Sequence, residues 1–129
     1  MIGIGVDLCE VDRMRMALDR TPSLRARVFT DEEQAYCDQR RDPTERYAAR
    51  FAAKEAVAKA LGTGIGVVAW TEIEIIRGPQ RQPELRLHGT AARLAAELGL
   101  SEWAVSLSHT HQHAVAFAVA ATAAPGADG

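Results

Sequence analysis

The sequence predicts an α+β fold in which a mostly antiparallel sheet packs against one long helix. Three observations predict it. Residues 2–9 alternate strictly between larger apolar side chains and small or polar ones. Asp42-Pro43 opens the longest helical segment, which runs to about Leu61 and is closed by Gly62. Residues 103–110 and 113–121 read as two strands of a terminal hairpin.

Taken in order, Ile2, Ile4, Val6 and Leu8 point one way from the first strand, and Gly3, Gly5, Asp7 and Cys9 the other. A half-buried strand has this period. A short helix follows from Val11 to about Leu18 and is broken at Thr21-Pro22. Residues 23–28 form a further helical piece. Thr30 and Glu33 make a capping-box pattern that opens a helix to about Arg40. After the long helix comes the loop Thr63-Gly64-Ile65-Gly66. Glu72–Ile76 and Glu84–His88 read as strands joined by a turn near Gly78-Pro79, and Thr90–Leu98 as a helix stopped by Gly99. In the last strand Val115, Phe117 and Val119 share one face, and Ala114, Ala116 and Ala118 the other. Residues 1–122 are expected to form a single domain, with 123–129 as a short flexible tail.

The chain has 129 residues, 47% apolar and 25% charged, with a net charge of −2. That is an ordinary globular composition, and it argues against a nucleic-acid binder. No apolar stretch reaches the length of a membrane span. Cys9 and Cys37 form no ligand cluster, and without a signal segment they read as reduced thiols of a cytoplasmic protein. Many of the apolar residues are alanine, so each buries little area, and contacts in an oligomer would add burial.

Asp7 stands on the glycine-bearing face of the first strand, where neither Gly3 nor Gly5 blocks close approach. A carboxylate there can hold a metal, cap the next helix or pair with an arginine. On the long helix Phe51, Glu55 and Lys59 lie four residues apart, along one stripe. Glu55 and Lys59 also fit an ordinary helix-stabilising pair. Lys54 and Lys59 are the only lysines, against thirteen arginines, which suggests positions that want a compact ammonium. His109 ends a strand on the face of Val105 and Leu107, at the edge of the core. His109, His111 and His113 alternate as zinc ligands would, but a turn at His111-Gln112 would scatter them. Residues 13–27 carry five arginines against one aspartate, a local charge of +4. This suits docking of phosphates or of an acidic partner, or a solvated helix face.

Three segments together resemble the holo-acyl-carrier-protein synthases of the 4′-phosphopantetheinyl transferase superfamily. They are the start Met1-Ile2-Gly3-Ile4-Gly5-Val6-Asp7-Leu8, the stretch from Arg50-Phe51-Ala52-Ala53-Lys54-Glu55 through Gly66, and Ser106-Leu107-Ser108-His109-Thr110. The chain departs from the family at Leu8, where isoleucine is common. It departs again at Arg81-Gln82-Pro83, where Gly-Lys-Pro or Gly-Arg-Pro is frequent. The resemblance implies a 4′-phosphopantetheinyl transferase-like fold and transfer of phosphopantetheine from coenzyme A to an acyl carrier protein of fatty-acid or polyketide type. It implies Asp7, Glu55 and Lys59 as catalytic residues, with Asp7 and Glu55 ligating Mg²⁺. Coenzyme A would be held by Arg50, Lys59, Ser108, His109 and Thr110, and by the loop of Gly62 and Gly64. Arg13, Arg20 and Arg27 would dock the carrier. It also implies a homotrimer whose sites lie between subunits, with His109 facing Asp7 and Glu55 of the next subunit. The competing reading is a non-catalytic module that binds a nucleotide or an acidic protein.

Overall fold

The computed structural model describes residues 2–123, so the expected tail lies outside the described residues except for Ala123. The elements are β1 (Ile2–Glu10), α1 (Val11–Arg20), α2 (Leu24–Val28), α3 (Asp31–Cys37), α4 (Thr44–Ala60), β2 (Ile73–Arg77), β3 (Pro83–Leu87), α5 (Gly89–Glu97), β4 (Glu102–His109) and β5 (His113–Ala121). The fold is α+β, and every strand pairing in its sheets is antiparallel. One sheet has the order β1-β5-β4 and the other is the β2-β3 hairpin. Helix α4, 17 residues long, lies across β1 and β5. Among the described residues no helix is long and apolar enough to cross a membrane.

Contact between β1 and α4 is unusually close. A Cβ at Gly5 would overlap the carbonyl of Ala56, and one at Gly3 the carbonyl of Ala60. The glycine face of β1 is therefore the buried one, and the group that approaches it is the backbone of α4. Strand β5 continues this small-residue floor, with Ala114, Ala116, Ala118 and Ala120 fully buried. The large apolar residues alternate to the outside. Ile2 is 69% exposed, Ile4 68%, Leu8 61% and Phe117 52%. Val6 faces Phe117 and Ile4 faces Val119 across the ladder, so they form one apolar patch. A patch of this kind is uncommon on a monomer.

Local signals in the sequence closed as expected. The Thr30 hydroxyl accepts from the Glu33 amide at 3.2 Å, and the Glu33 carboxylate accepts from the Thr30 amide at 2.9 Å, a reciprocal capping box. Asp42 accepts from the Thr44 amide at 3.1 Å and so starts α4. At its end the Gly62 amide donates to Lys59 and the Thr63 amide to Ala58, with Gly62 at φ +74°, which is a Schellman motif.

Glu33 has a second task that no local pattern shows. Its other carboxylate oxygen accepts from the Ile75 amide at 2.9 Å, and the carboxylate pairs with the Lys54 ammonium at 2.7 Å, both side chains fully buried. Lys54 also donates to the carbonyls of Trp70 and Ile73. The ion pair is thus hydrogen-bonded on all sides, as a buried pair must be, and it ties α3, α4 and β2 together. The hairpin between β2 and β3 turns through Arg81, at φ +67°, the one non-glycine residue with positive φ among the described residues. Such a conformation costs an L-residue on the order of 1 kcal/mol.

The glycine contact makes a discriminating prediction. Gly5→Ala should lose about 2 kcal/mol or more of stability, because rigid backbone must move to admit the methyl. Gly64→Ala, with nothing within 4 Å of its added Cβ, should stay within about 0.5 kcal/mol of wild type. Urea unfolding of the two variants measures the difference. Equal stabilities would contradict the close-packed seam.

Candidate active site

Asp7 follows Gly5 on the same face of β1 and so reaches α4 one turn away from the glycine contact. Lys59 does not pair with Glu55, four residues back. Its ammonium meets the Asp7 carboxylate at 3.1 Å and the Val6 carbonyl at 2.9 Å. Glu55 lies half-buried on the same stripe of α4. Burial raises its pKa, the negative charge of Asp7 adds to the shift, and Lys59 opposes it. Two carboxylates and an ammonium are thus gathered at one seam. Phe51 completes the stripe and stacks on Trp70, with centroids 4.8 Å apart. These two rings border a groove of about 450 Å³ that includes Leu8, Met14 and Leu24, with Arg13 on its lining.

A second centre lies beside Arg50. The guanidinium groups of Arg46 and Arg50 each stack 4.0 Å from the ring centroid of Tyr36. With Arg77, Arg81 and His109 they line a small cavity of about 160 Å³. Its lining includes no carboxylate, and none of the four arginines forms an ion pair with a described carboxylate. Arg50 is only 7% exposed, its Nε has no hydrogen-bond partner among the described residues, and burial lowers its pKa. An unpaired cluster of forked cations is an anion site by its chemistry.

His109 enters this cavity from the end of β4, on the face of Leu107, as its spacing predicted. Its Nδ1 lies 2.8 Å from one Glu45 oxygen, and His111 Nδ1 lies 3.0 Å from the other. Hydrogen bonds from the two rings hold the Glu45 carboxyl below its ordinary pKa. The turn between β4 and β5 is present, and among the described residues no three His, Cys, Asp or Glu side chains are grouped to hold a metal. Ser108 lies on the opposite face of β4 from His109, and the Thr110 hydroxyl accepts from the Gln112 and His113 amides within that turn. Gly62 and Gly64 belong to the loop that caps α4.

Within the basic segment, Arg15 pairs with Asp42 at 2.8 Å and Arg25 lies 4.0 Å from Asp38. Arg13, Arg20 and Arg27 are exposed and have no ion pair with a described carboxylate. The residues that sequence reasoning left without a role are Tyr36, Glu45, Arg46, Arg77 and Arg81. They come from four separate stretches, and only the excess of arginine over lysine hinted that forked cations were wanted.

Comparison with known proteins decides the family. The model of the 4′-phosphopantetheinyl transferase superfamily matches residues 3–118, a span that holds both centres. The chain belongs to this superfamily. A relative from Moorella thermoacetica, a holo-[acyl-carrier-protein] synthase, is 50% identical over 119 residues, covering 92% of this chain and 93% of the relative. The crystal structure of holo-[acyl-carrier-protein] synthase from Neisseria meningitidis superposes with a TM-score of 0.86 at 34% identity, covering 95% of this chain and 100% of that one. That of a holo-(acyl-carrier-protein) synthase from Bacillus anthracis, in complex with CoA (3′,5′-ADP), superposes at 0.78 with 32% identity, covering 94% and 96%.

The raised pKa of Glu55 makes a signed prediction. A carboxyl raised in the folded state stabilises the fold below its unfolded pKa, and that contribution is lost as pH rises through the folded value. Glu55→Gln, without divalent metal, should therefore match wild type in Tm near pH 4 and exceed it at pH 8. Thermal melts at the two pH values in chelator check this. A variant less stable than wild type at pH 8 would show that Glu55 is satisfied by a partner within the protein.

Proposed function

We propose that the chain is a magnesium-dependent holo-[acyl-carrier-protein] synthase. It transfers the 4′-phosphopantetheine group of coenzyme A to a serine of an apo acyl carrier protein and releases adenosine 3′,5′-bisphosphate. The meeting of Asp7, Glu55 and Lys59 at the β1–α4 seam carries this reading.

Two carboxylates suit Mg²⁺, which commonly takes one or two carboxylates and fills its shell with phosphate oxygens and water. Asp7 and Glu55 would hold the ion, which when bound neutralises charge on the pyrophosphate as a Lewis acid. Lys59 adds a positive charge on the same pyrophosphate, anchored by Asp7 and the Val6 carbonyl. The arginine cavity, with His109, takes the 3′-phosphate of the nucleotide. Gripping that remote phosphate orients the β-phosphorus for attack, a positioning effect that needs no chemistry at the arginines. The carrier serine oxygen forms a bond to the β-phosphorus, its proton is lost to base, and the bond from that phosphorus to the bridging oxygen breaks. Negative charge develops on the leaving phosphate, where Lys59 acts.

The groove beside Phe51 and Trp70 is lined by Leu8, next to Asp7, and by Arg13, so it suits the carrier and its incoming serine. Arg13, Arg20 and Arg27 would dock an acidic carrier, in exposed contacts that each contribute little and weaken with salt. The apolar outer face of β1 and β5 would be covered by neighbouring copies in a homotrimer, with His109 of one subunit serving the seam of the next. Cys9 and Cys37 are buried free thiols, pushed by burial to about 11 and about 12, which fits a reducing cytoplasm.

Mass spectrometry of an apo carrier protein, incubated with the chain, coenzyme A and Mg²⁺, tests the activity. The carrier should gain the mass of one phosphopantetheine group, and chelator should prevent the gain. An unmodified carrier that still binds the chain would favour the non-catalytic binding module. In the same assay, Arg13→Glu with Arg20→Glu should raise KM for the carrier several-fold and leave KM for coenzyme A nearly unchanged. A mixture of inactive His109→Ala and Glu55→Ala chains should regain activity if sites are shared. No recovery after proven subunit exchange would count against sharing.

A further inference from the structure

The arginine cavity contains a residue in a conformation that its side chain makes costly. Arg81 sits at φ +67° in the turn between β2 and β3, held by its amide donating to the Gly78 carbonyl at 3.0 Å. The turn is closed again by the Gly78 amide donating to Gln82 at 2.7 Å. Glycine would adopt this conformation without penalty. Nothing in the turn requires a long side chain: the polar contacts there run through Gln82, which accepts from the Gln80 amide and donates to Glu84. What Arg81 reaches instead is the cavity, where it joins Arg46, Arg50, Arg77 and His109.

Adding a fourth guanidinium to three that already lack carboxylate partners makes the empty protein worse off in two ways, by strain and by like-charge repulsion. An anion bound in the cavity would offset both penalties. The unpartnered Nε of Arg50, buried in the wall, points to the same conclusion. At about 160 Å³ the cavity is below the range of drug-sized sites and has room for a phosphate group. Four forks around one small volume suit a dianion, whose oxygens take several charge-assisted hydrogen bonds at once.

We infer that Arg81 is a specificity residue, held in a strained backbone conformation so that its guanidinium selects a nucleotide carrying a terminal phosphomonoester over the same nucleotide without one. This rests on the assignment of the cavity to the 3′-phosphate of coenzyme A, and the test separates the two claims. Strain accepted at a binding residue is a known way of placing a group that the fold would otherwise not present.

The experiment is calorimetric titration of coenzyme A and of dephospho-coenzyme A, which lacks the 3′-phosphate, into wild type, Arg81→Gly, Arg81→Ala and Arg81→Lys. Magnesium is held constant, and the Tm of each unliganded protein is measured alongside. Wild type should prefer coenzyme A. Arg81→Gly and Arg81→Ala should each lose about tenfold in affinity for coenzyme A, the low end for a charge-assisted contact at an exposed residue, with no change for dephospho-coenzyme A. Arg81→Lys should recover part of the loss. Arg81→Gly should also melt no lower than wild type and above Arg81→Ala, so that stability and affinity move apart. A wild type indifferent to the 3′-phosphate would overturn the cavity assignment, and the role of Arg81 with it. A wild type that discriminates, alongside an Arg81→Gly that discriminates equally well, would overturn the role of Arg81 alone. Equal losses for both nucleotides, or an Arg81→Gly less stable than Arg81→Ala, would likewise contradict it.

Discussion

The closeness of β1 to α4 is the constraint on which the rest of the molecule depends. Only glycine at positions 3 and 5 lets the strand lie against the carbonyls of Ala60 and Ala56. A strand and a helix normally meet through side chains, which leaves a wider gap between their backbones. Here the gap is closed, so a side chain as short as Asp7 reaches the stripe of α4 that bears Glu55 and Lys59. The same packing explains the alanines of β5, which continue the floor beneath the helix. It also forces the large residues of β1 and β5 outward. Interior density and exterior stickiness are thus two results of one alternation, because a one-residue shift of register would exchange the faces completely.

A second tie works on another face of α4. Lys54 and Glu33 form a fully buried ion pair whose remaining hydrogen-bonding capacity goes to backbone on α3, β2 and the segment before it. Buried ion pairs add little net stability and penalise the loss of either partner heavily. Their effect is to fix geometry. With α3 and β2 set against α4, Tyr36 and Arg77 come to stand beside Arg50, and the arginine cavity follows. Lys54 and Lys59 therefore divide the work of the two lysines: one fixes the frame and the other meets Asp7 at the seam.

Much of this was legible in the sequence wherever the signal is local. The period-two strands, the capping box at Thr30 and the glycine stop at Gly62 are each written within a few residues, and each was read. The pairing of Asp7 with the stripe of Glu55 and Lys59 came from the family resemblance, since no spacing rule links residues 7 and 55. Which face of β1 is buried was not legible. Apolar patterning favours burying the large residues, and here tight backbone contact and an outer patch reverse that choice. Glu45, bridging His109 and His111, and the convergence of Tyr36, Arg46, Arg77 and Arg81 depend on long-range packing. The double role of Glu33 was hidden for a related reason: its capping-box signature accounts fully for the residue before the buried ammonium is known.

Asp7 and Glu55, gathered by the glycine seam, form the proposed site for a hard divalent cation. Electron paramagnetic resonance of Mn²⁺, used as a spectroscopic substitute for Mg²⁺, tests it most directly when free ion is titrated against wild type, Asp7→Asn and Glu55→Gln in the presence of adenosine 3′,5′-bisphosphate and coenzyme A in separate series. Wild type should sequester Mn²⁺, more tightly with coenzyme A because only it carries the pyrophosphate. Each variant should remain folded by circular dichroism and lose at least about tenfold in Mn²⁺ affinity, the effect expected on removing one of two charged ligands. Folded variants that bind Mn²⁺ as tightly as wild type would rule out Asp7 and Glu55 as the metal ligands.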